Sequence, residues 1–292
     1  MTTIFNEIEY EDKVNIKNLS SIKISGFAKG IFYPKNEKEL IEVYSFLKEN
    51  NLKFIILGNG TNTLFSNKIS DYYIISMKKL QKYVKKRKNN YIFSSSCNLS
   101  YIFQYCLKND LSGFEKLATV PGLLGGAVKM NASCFGQCIS DNLVSIKVLK
   151  DEKIKTLKKK QIKFEYRKTN LDDCIILSAT FFLVRKDKQE LLRDYGFICS
   201  LRKEKQPKGI SLGSTFKNPP FLSAGYLIEQ CGLKGLRQND AFISEKHANF
   251  IINNGNASFD DVFYLISTAK AKVKEKFDID LETEIEVLPK EE

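Results

Sequence analysis

A chain of 292 residues, 43% hydrophobic and 12% aromatic, has the length and apolar content for two or three modest domains with their own cores, which excludes a disordered protein. Its 46 Lys and Arg outnumber 34 Asp and Glu, a formal charge of +12 that admits polyanionic ligands. Met1–Val14 show no basic stretch followed by an apolar one, and nowhere do about 18 apolar residues run together, so a cytoplasmic protein without membrane insertion is expected.

Along the chain, Ser20–Pro34 reads as strand and turn, and Asn36 starts a helix, with Glu39 placed as a capping-box partner. Leu40, Val43, Tyr44 and Leu47 share one face of that helix. A turn at Asn50–Asn51 leads to a short apolar strand, Phe54–Leu57, and straight into Gly58-Asn59-Gly60-Thr61-Asn62. The stretch from Tyr72 to Arg185 is rich in strands. Within it the densest basic cluster, Lys78–Lys88, lies between the strand-like runs Tyr72–Met77 and Tyr91–Ser94 and reads as a solvated connection ahead of an RNA-binding patch. Leu143–Leu149 alternates, Asp151–Glu152 is a hairpin turn, and Cys174–Val184 is a long apolar strand. Beyond Asp187 the spacing predicts helices over Gln189–Lys203, over Ala224–Cys231 behind Ser223, and after Ser258 with Asp261 three residues on. Ala248–Ile252 and the alternating Leu281–Val287 read as strands, and a domain boundary falls near Lys186.

Seven cysteines, an odd number without a C-x-x-C pair, favour reduced thiols over a disulfide framework. The single histidine, His247, leaves any zinc site to cysteines without zinc-like spacing, so no metal is expected.

Five segments could carry chemistry. Gly58–Asn62 follows a strand, where backbone N–H groups can approach phosphate oxygens, and Asn59, Thr61 and Asn62 add polar donors. It is neither a classical dinucleotide fingerprint nor a P-loop, and a plain tight turn explains it alone equally well. Pro121-Gly122-Leu123-Leu124-Gly125-Gly126, followed by Met130-Asn131-Ala132-Ser133, is a stronger signal, because small residues let main chain approach a flat ligand. Gly213-Ser214-Thr215-Phe216-Lys217-Asn218 could hold a hydroxyl in a polar network. A hydrolase is excluded, since no G-x-S-x-G elbow occurs and one histidine must serve as the only base. Tyr166-Arg167 closes the strand-rich region, and Glu282, Glu284 and Glu286 alternate onto one strand face, which is usually a solvated edge.

In this order the segments resemble the UDP-N-acetylenolpyruvoylglucosamine reductase family, in its shorter second type, from about Ser20 to Leu288. The resemblance implies an α+β fold, with a vanillyl-alcohol-oxidase/PCMH-type FAD-binding domain over 25–186, after an N-terminal segment 1–24, and a smaller α/β substrate-binding domain over 187–292. It implies a cytoplasmic flavoprotein oxidoreductase of peptidoglycan synthesis, acting in cell wall biogenesis, cell shape and cell division. NADPH would be the hydride donor, FAD the cofactor and a UDP-sugar the substrate, with no nucleic acid and no obligate protein partner. Gly58, Asn59, Gly60, Thr61, Asn62, Pro121, Gly122, Gly125 and Gly126 would bind the cofactor. Arg167 and Glu284 would hold the substrate carboxylate, Ser214 would donate a proton, and Tyr166, Lys205, Asn218 and His247 would contact substrate. Ser25, Asn59 and Ser133 stand where the family commonly has glycine. Two other classes compete: an oxidase of small alcohols, which would have no reason for Arg167, Ser214 and Glu284 together, and a basic RNA-binding protein using Lys78–Lys88.

Overall fold

The protein is described by a computed structural model covering residues 8–289, so residues 1–7 of the Met1–Val14 opening lie outside the described part. The chain forms two compact units and passes between them more than once. The first holds the described residues up to Tyr10, Phe32–Gly58 and Ile75–Leu201; the second holds Glu11–Ile31, Asn59–Ile74 and the chain from Arg202 onward. A four-stranded sheet takes the order Glu9–Asp12, Gly30–Tyr33, Tyr73–Ser76, Phe54–Leu57.

In the first unit, helix α1 (Glu37–Glu49) starts where Asn36 Oδ1 accepts from the Glu39 N–H at 3.0 Å. The Glu39 carboxylate accepts in turn from the Lys35 N–H, so the helix start is satisfied from both directions. Leu40, Val43 and Leu47 are fully buried along the expected face. Helix α2 (Leu99–Lys108) lays Leu99, Ile102, Phe103 and Cys106 into the main core, around Phe93, Phe114 and Phe181. A five-stranded sheet of order Lys153–Lys158, Leu143–Lys150, Ile175–Phe182, Asn90–Ser94, Val84–Arg87 is antiparallel throughout. Asp151 and Glu152 both adopt positive φ, 50° and 59°, and so form the two-residue hairpin turn whose twist matches that of its strands. Short helix α3 (Leu124–Lys129) begins within the second glycine segment, and α4 (Lys188–Lys205) adds Ile198, Tyr195 and Leu201 to the same core.

The second unit has its own core, with Leu64, Phe216, Leu227, Ile228, Leu265 and Val273 among its buried residues. Helix α5 (Ala224–Gln230) is capped by the Ser223 hydroxyl and stops before Gly232, whose φ is +71°. Helix α6 (Phe259–Phe277) opens on a full capping box: Ser258 Oγ accepts from Asp261 N, and the Asp261 carboxylate accepts from Ser258 N. Burial disfavours charge on Asp261, but hydrogen bonds from Ser258 and Asn239 outweigh it and hold the carboxyl below its ordinary range.

Three expectations need correction. The basic run Lys78–Lys88 is not all connection, because Val84–Arg87 is an edge strand paired with Asn90–Ser94. The strand expected at Ala248–Ile252 is observed at Ile251–Asn253, and residues 247–250 turn instead, with the Phe250 N–H on His247 O. Leu281–Val287 is not one continuous strand; only Glu286–Leu288 is, parallel to Thr63–Phe65. Glu284 and Ile285 donate to Thr215 O, but Glu286 donates to Asn62 O, and this change of partner breaks the pleat that would have put three glutamates on one face.

Candidate active site

Gly60 explains the first glycine loop in part. Its φ is +65°, and a Cβ there would fall 1.9 Å from Leu19 O, so glycine is required by packing against the Leu19–Ser21 main chain. Asn62 ends the loop with its amide donating to Glu284 O at 2.9 Å, while its own carbonyl accepts from Glu286 N. The loop therefore anchors the main chain of the segment that carries Glu284.

Ser214 stands on the other side of that segment. Gly213, at φ +84°, precedes it, and its main chain bridges Phe250. The next residue, Thr215, donates to Asn249 O and accepts from Glu284 N at 2.8 Å. Buried Asn249 completes the frame, with its side chain bonded to both Phe216 N and Phe216 O. Ser214 and Glu284 are thus carried on neighbouring segments pinned through Thr215, both half-buried. Glu282 is exposed and pairs with Lys217 at 2.9 Å.

The second glycine segment and Arg167 belong to the first unit. Leu124 N donates to Cys97 O and Gly125 N to Ser95 O, which fixes the start of α3 against the end of the Asn90–Ser94 strand. A Cβ on Gly125 would lie 3.1 Å from Ser95 Cβ, whereas a Cβ on Gly126 would meet nothing within 4 Å. Tyr166 and Arg167 are the two turn residues of the hairpin Phe164–Glu165/Lys168–Thr169, with Arg167 at φ +55° and its guanidinium 5.3 Å from the Tyr166 ring centroid.

The remaining site candidates have local partners or exposure. Asn218 Oδ1 accepts from Ala224 N at the start of α5, and Lys205 is exposed in the last turn of α4. His247 packs edge-on to Phe250, ring centroids 5.0 Å apart, with Gly225 beneath it, where a Cβ would come 3.0 Å from His247 Cε1. Its Nδ1 accepts from Asn249 N, so the ring helps hold the Asn249 frame. Burial pushes the imidazole below its ordinary range, with Lys234 adding to that effect and Glu229 opposing it. The folded chain therefore holds His247 neutral while the unfolded chain binds a proton below about pH 6.5, so its stabilising contribution is complete above that pH and is lost as pH falls through the lower folded value. The melting temperature should be lower at pH 5.5 than at pH 7.5, and His247→Gln should reduce that difference, since the chain has no second histidine.

The residues of the first unit suit a flavin dinucleotide. Ser95 Oγ, next to Gly125, and Asn131 Oδ1, just past α3, are both buried with no hydrogen-bond partner. Gly126 leaves room where a side chain would stand. Unpaired buried polar atoms beside an uncovered glycine surface are what a polar, flat-ringed ligand would satisfy. Asn131 lies in the segment already singled out, whereas Ser95 is a candidate that the motifs did not include; the run Ser94-Ser95-Ser96 after an apolar strand was its signal. Among the described residues no group of three or more His, Cys, Asp or Glu is placed to hold a metal, and no helix is long and apolar enough to cross a membrane.

Residues 28–157 match the family described as FAD binding domain, and residues 206–288 match UDP-N-acetylenolpyruvoylglucosamine reductase, C-terminal domain. UDP-N-acetylenolpyruvoylglucosamine reductase of Syntrophus aciditrophicus is 37% identical over 92% of this chain and 88% of its own length. That of Caldanaerobacter subterraneus is 39% identical over 94% of this chain and 91% of its own. The crystal structure of UDP-N-acetylenolpyruvylglucosamine reductase from Thermus caldophilus superposes with a TM-score of 0.82 at 32% identity, over 97% of this chain and 99% of that one. An α+β FAD-binding domain followed by a smaller α/β domain makes this chain a flavoprotein. Similarity of this extent, over both domains, goes further: the chain belongs to the UDP-N-acetylenolpyruvoylglucosamine reductase family.

Proposed function

We infer that this chain is an FAD-containing oxidoreductase that uses NADPH to reduce the enolpyruvyl group of UDP-N-acetylglucosamine-enolpyruvate to UDP-N-acetylmuramate, a step of peptidoglycan precursor synthesis. The observation that carries the reading is the pinning of the Ser214 and Glu284 segments through Thr215, in a chain with family similarity over both domains. FAD, held by the Gly58–Asn62 and Pro121–Gly126 segments, would supply the hydride relay between NADPH and the enolpyruvyl double bond.

The chain's own residues have two further tasks. An enol ether is electron-rich and resists hydride unless its carboxylate can take up charge. Arg167 and Glu284 hold that carboxylate, and a carboxyl group that donates to a carboxylate does so in its protonated form. Hydride reaches one vinyl carbon, and the Ser214 hydroxyl delivers a proton to the other. A serine hydroxyl is a weak acid, so it serves here only because its target is a strongly basic, carbanion-like carbon. No described protein group hydrogen-bonds the Ser214 hydroxyl, which supports that availability. Gly58–Asn62 and the Pro121–Gly126 segment cradle the cofactor, with Asn62 holding the Glu284 main chain as well. Tyr166, Lys205, Asn218 and His247 lie on the substrate side, His247 through the Asn249 frame. The cofactor domain spans 25–186 and the substrate domain 187–292, and the enzyme works in the cytoplasm without nucleic-acid or obligate protein partners.

Purified protein should be yellow, its flavin absorbance should bleach with NADPH, and colour should return on adding the enolpyruvyl UDP-sugar. Reoxidation by the carbonyl products of small alcohols, and not by that sugar, would instead favour an alcohol oxidase. A colourless protein that binds RNA with steep salt dependence would refute the flavoenzyme reading.

A further inference from the structure

We propose that Ser133 is a positioning residue that fixes the guanidinium of Arg167 for the substrate carboxylate; this rests on the carboxylate-binding role given to Arg167 above. Arg167 occupies the tip of a two-residue hairpin turn, beside the half-exposed Tyr166. A long side chain at such a tip keeps rotamer freedom that an oriented fork must give up. Two groups of one residue restrain it here. Arg167 Nη1 donates to Ser133 Oγ at 2.5 Å, and Nη2 donates to Ser133 O at 3.3 Å. With both terminal nitrogens directed at one residue, the guanidinium plane is set.

Ser133 is itself rigidly placed. It follows buried Ala132, whose N–H donates to Ala127 O of α3, and it pairs with Cys138 in the next hairpin. The residue that aims Arg167 is therefore tied, through Ala132, to the helix that begins in the second glycine segment. Two further bonds hold the arginine hairpin without Ser133: Thr169 Oγ1 donates to Lys129 O, and Asn131 Nδ2 donates to Glu165 O at 2.9 Å. Removing the Ser133 hydroxyl thus takes away the Nη1 bond, leaves Nη2 on the Ser133 carbonyl as a single-point tether, and leaves the hairpin in place.

Ser133→Ala, Ser133→Thr and Arg167→Lys holoenzymes separate this role from a structural one. Ser133→Ala should weaken equilibrium binding of UDP-N-acetylmuramate, which carries the carboxylate, by about tenfold, and leave UDP-N-acetylglucosamine, which lacks it, within about twofold. Reoxidation of flavin by the enolpyruvyl sugar should slow by a similar factor while reduction by NADPH is unchanged, and Ser133→Thr should restore both values. In an Arg167→Lys background, Ser133→Ala should add little, because the fork it orients is gone. Equal weakening of both sugars, or loss of flavin, would show a structural role and overturn the proposal. If Arg167→Lys weakens UDP-N-acetylmuramate binding and Ser133→Ala does not, the positioning role alone is wrong. If Arg167→Lys also leaves it unchanged, the carboxylate role of Arg167 falls, and this proposal with it.

Discussion

Ser214→Ala should leave flavin reduction by NADPH within about twofold of wild type and slow reoxidation by the enolpyruvyl sugar roughly a hundred- to ten-thousand-fold, the usual range for losing a positioned proton donor. The structure makes this a clean substitution. Ser214 is tied to Phe250, and its neighbour Thr215 to Asn249 and Glu284, through main-chain groups that alanine keeps. Nothing in the described protein leans on the hydroxyl, so its removal leaves no buried group without a partner. Stopped-flow absorbance of the flavin separates the two half-reactions. An equal loss in both would mean that Ser214 supports the site without donating the proton.

Glu284→Ala should cost about a hundred- to a thousandfold in the same oxidative half-reaction, and Glu284→Gln clearly less, because a carboxamide still donates a hydrogen bond to a carboxylate although it has no acidic proton to share. Both variants should stay yellow. The Glu284 N–H bonds to Thr215 and its carbonyl accepts from Asn62, main-chain contacts that both substitutions keep. If either variant loses flavin, Glu284 has a structural task that these contacts do not reveal. If Gln is as slow as Ala, the carboxyl proton and not the hydrogen bond is what the reaction needs.

Local structure was the part most readable in the sequence. Asn36 with Glu39, Ser223, and Ser258 with Asp261 each marked a helix start through a short polar side chain, because capping is settled within four residues. Asp151–Glu152 marked its hairpin for the same reason. Long-range partners were harder to read. The alternation of Leu281–Val287 suggested one strand, but its N–H groups divide between Thr215 and Asn62, partners more than 60 residues away in the chain. Nothing local encodes such a switch. Gly60 was read toward a phosphate, and its need for glycine has a second source that nothing local encodes, Leu19 O, about 40 residues earlier. For the site itself, residue types gave the candidates, whereas order along the chain gave them their meaning. Ser133 stood out as an unusual residue in a recognised segment, and only its contact with Arg167 gave it a task.

The five-stranded sheet of the first unit ends on both sides in strands dense with lysine: Val84–Arg87 reads Val-Lys-Lys-Arg, and Lys153–Lys158 reads Lys-Ile-Lys-Thr-Leu-Lys. An outermost strand has a row of unmatched peptide groups, a template on which another chain can lay a strand of its own. Lysine guards both templates in this protein, since a second copy arriving with the same charges is turned away before its peptide groups can meet them. Part of the +12 that first suggested a polyanionic partner therefore lies on these two edges, where it opposes strand-to-strand pairing. High salt, which screens these charges, or acylation of the edge lysines, which removes them, would open the sheet to strand-by-strand growth into aggregates, while the glycine loops and the Ser214 and Glu284 segments stayed intact.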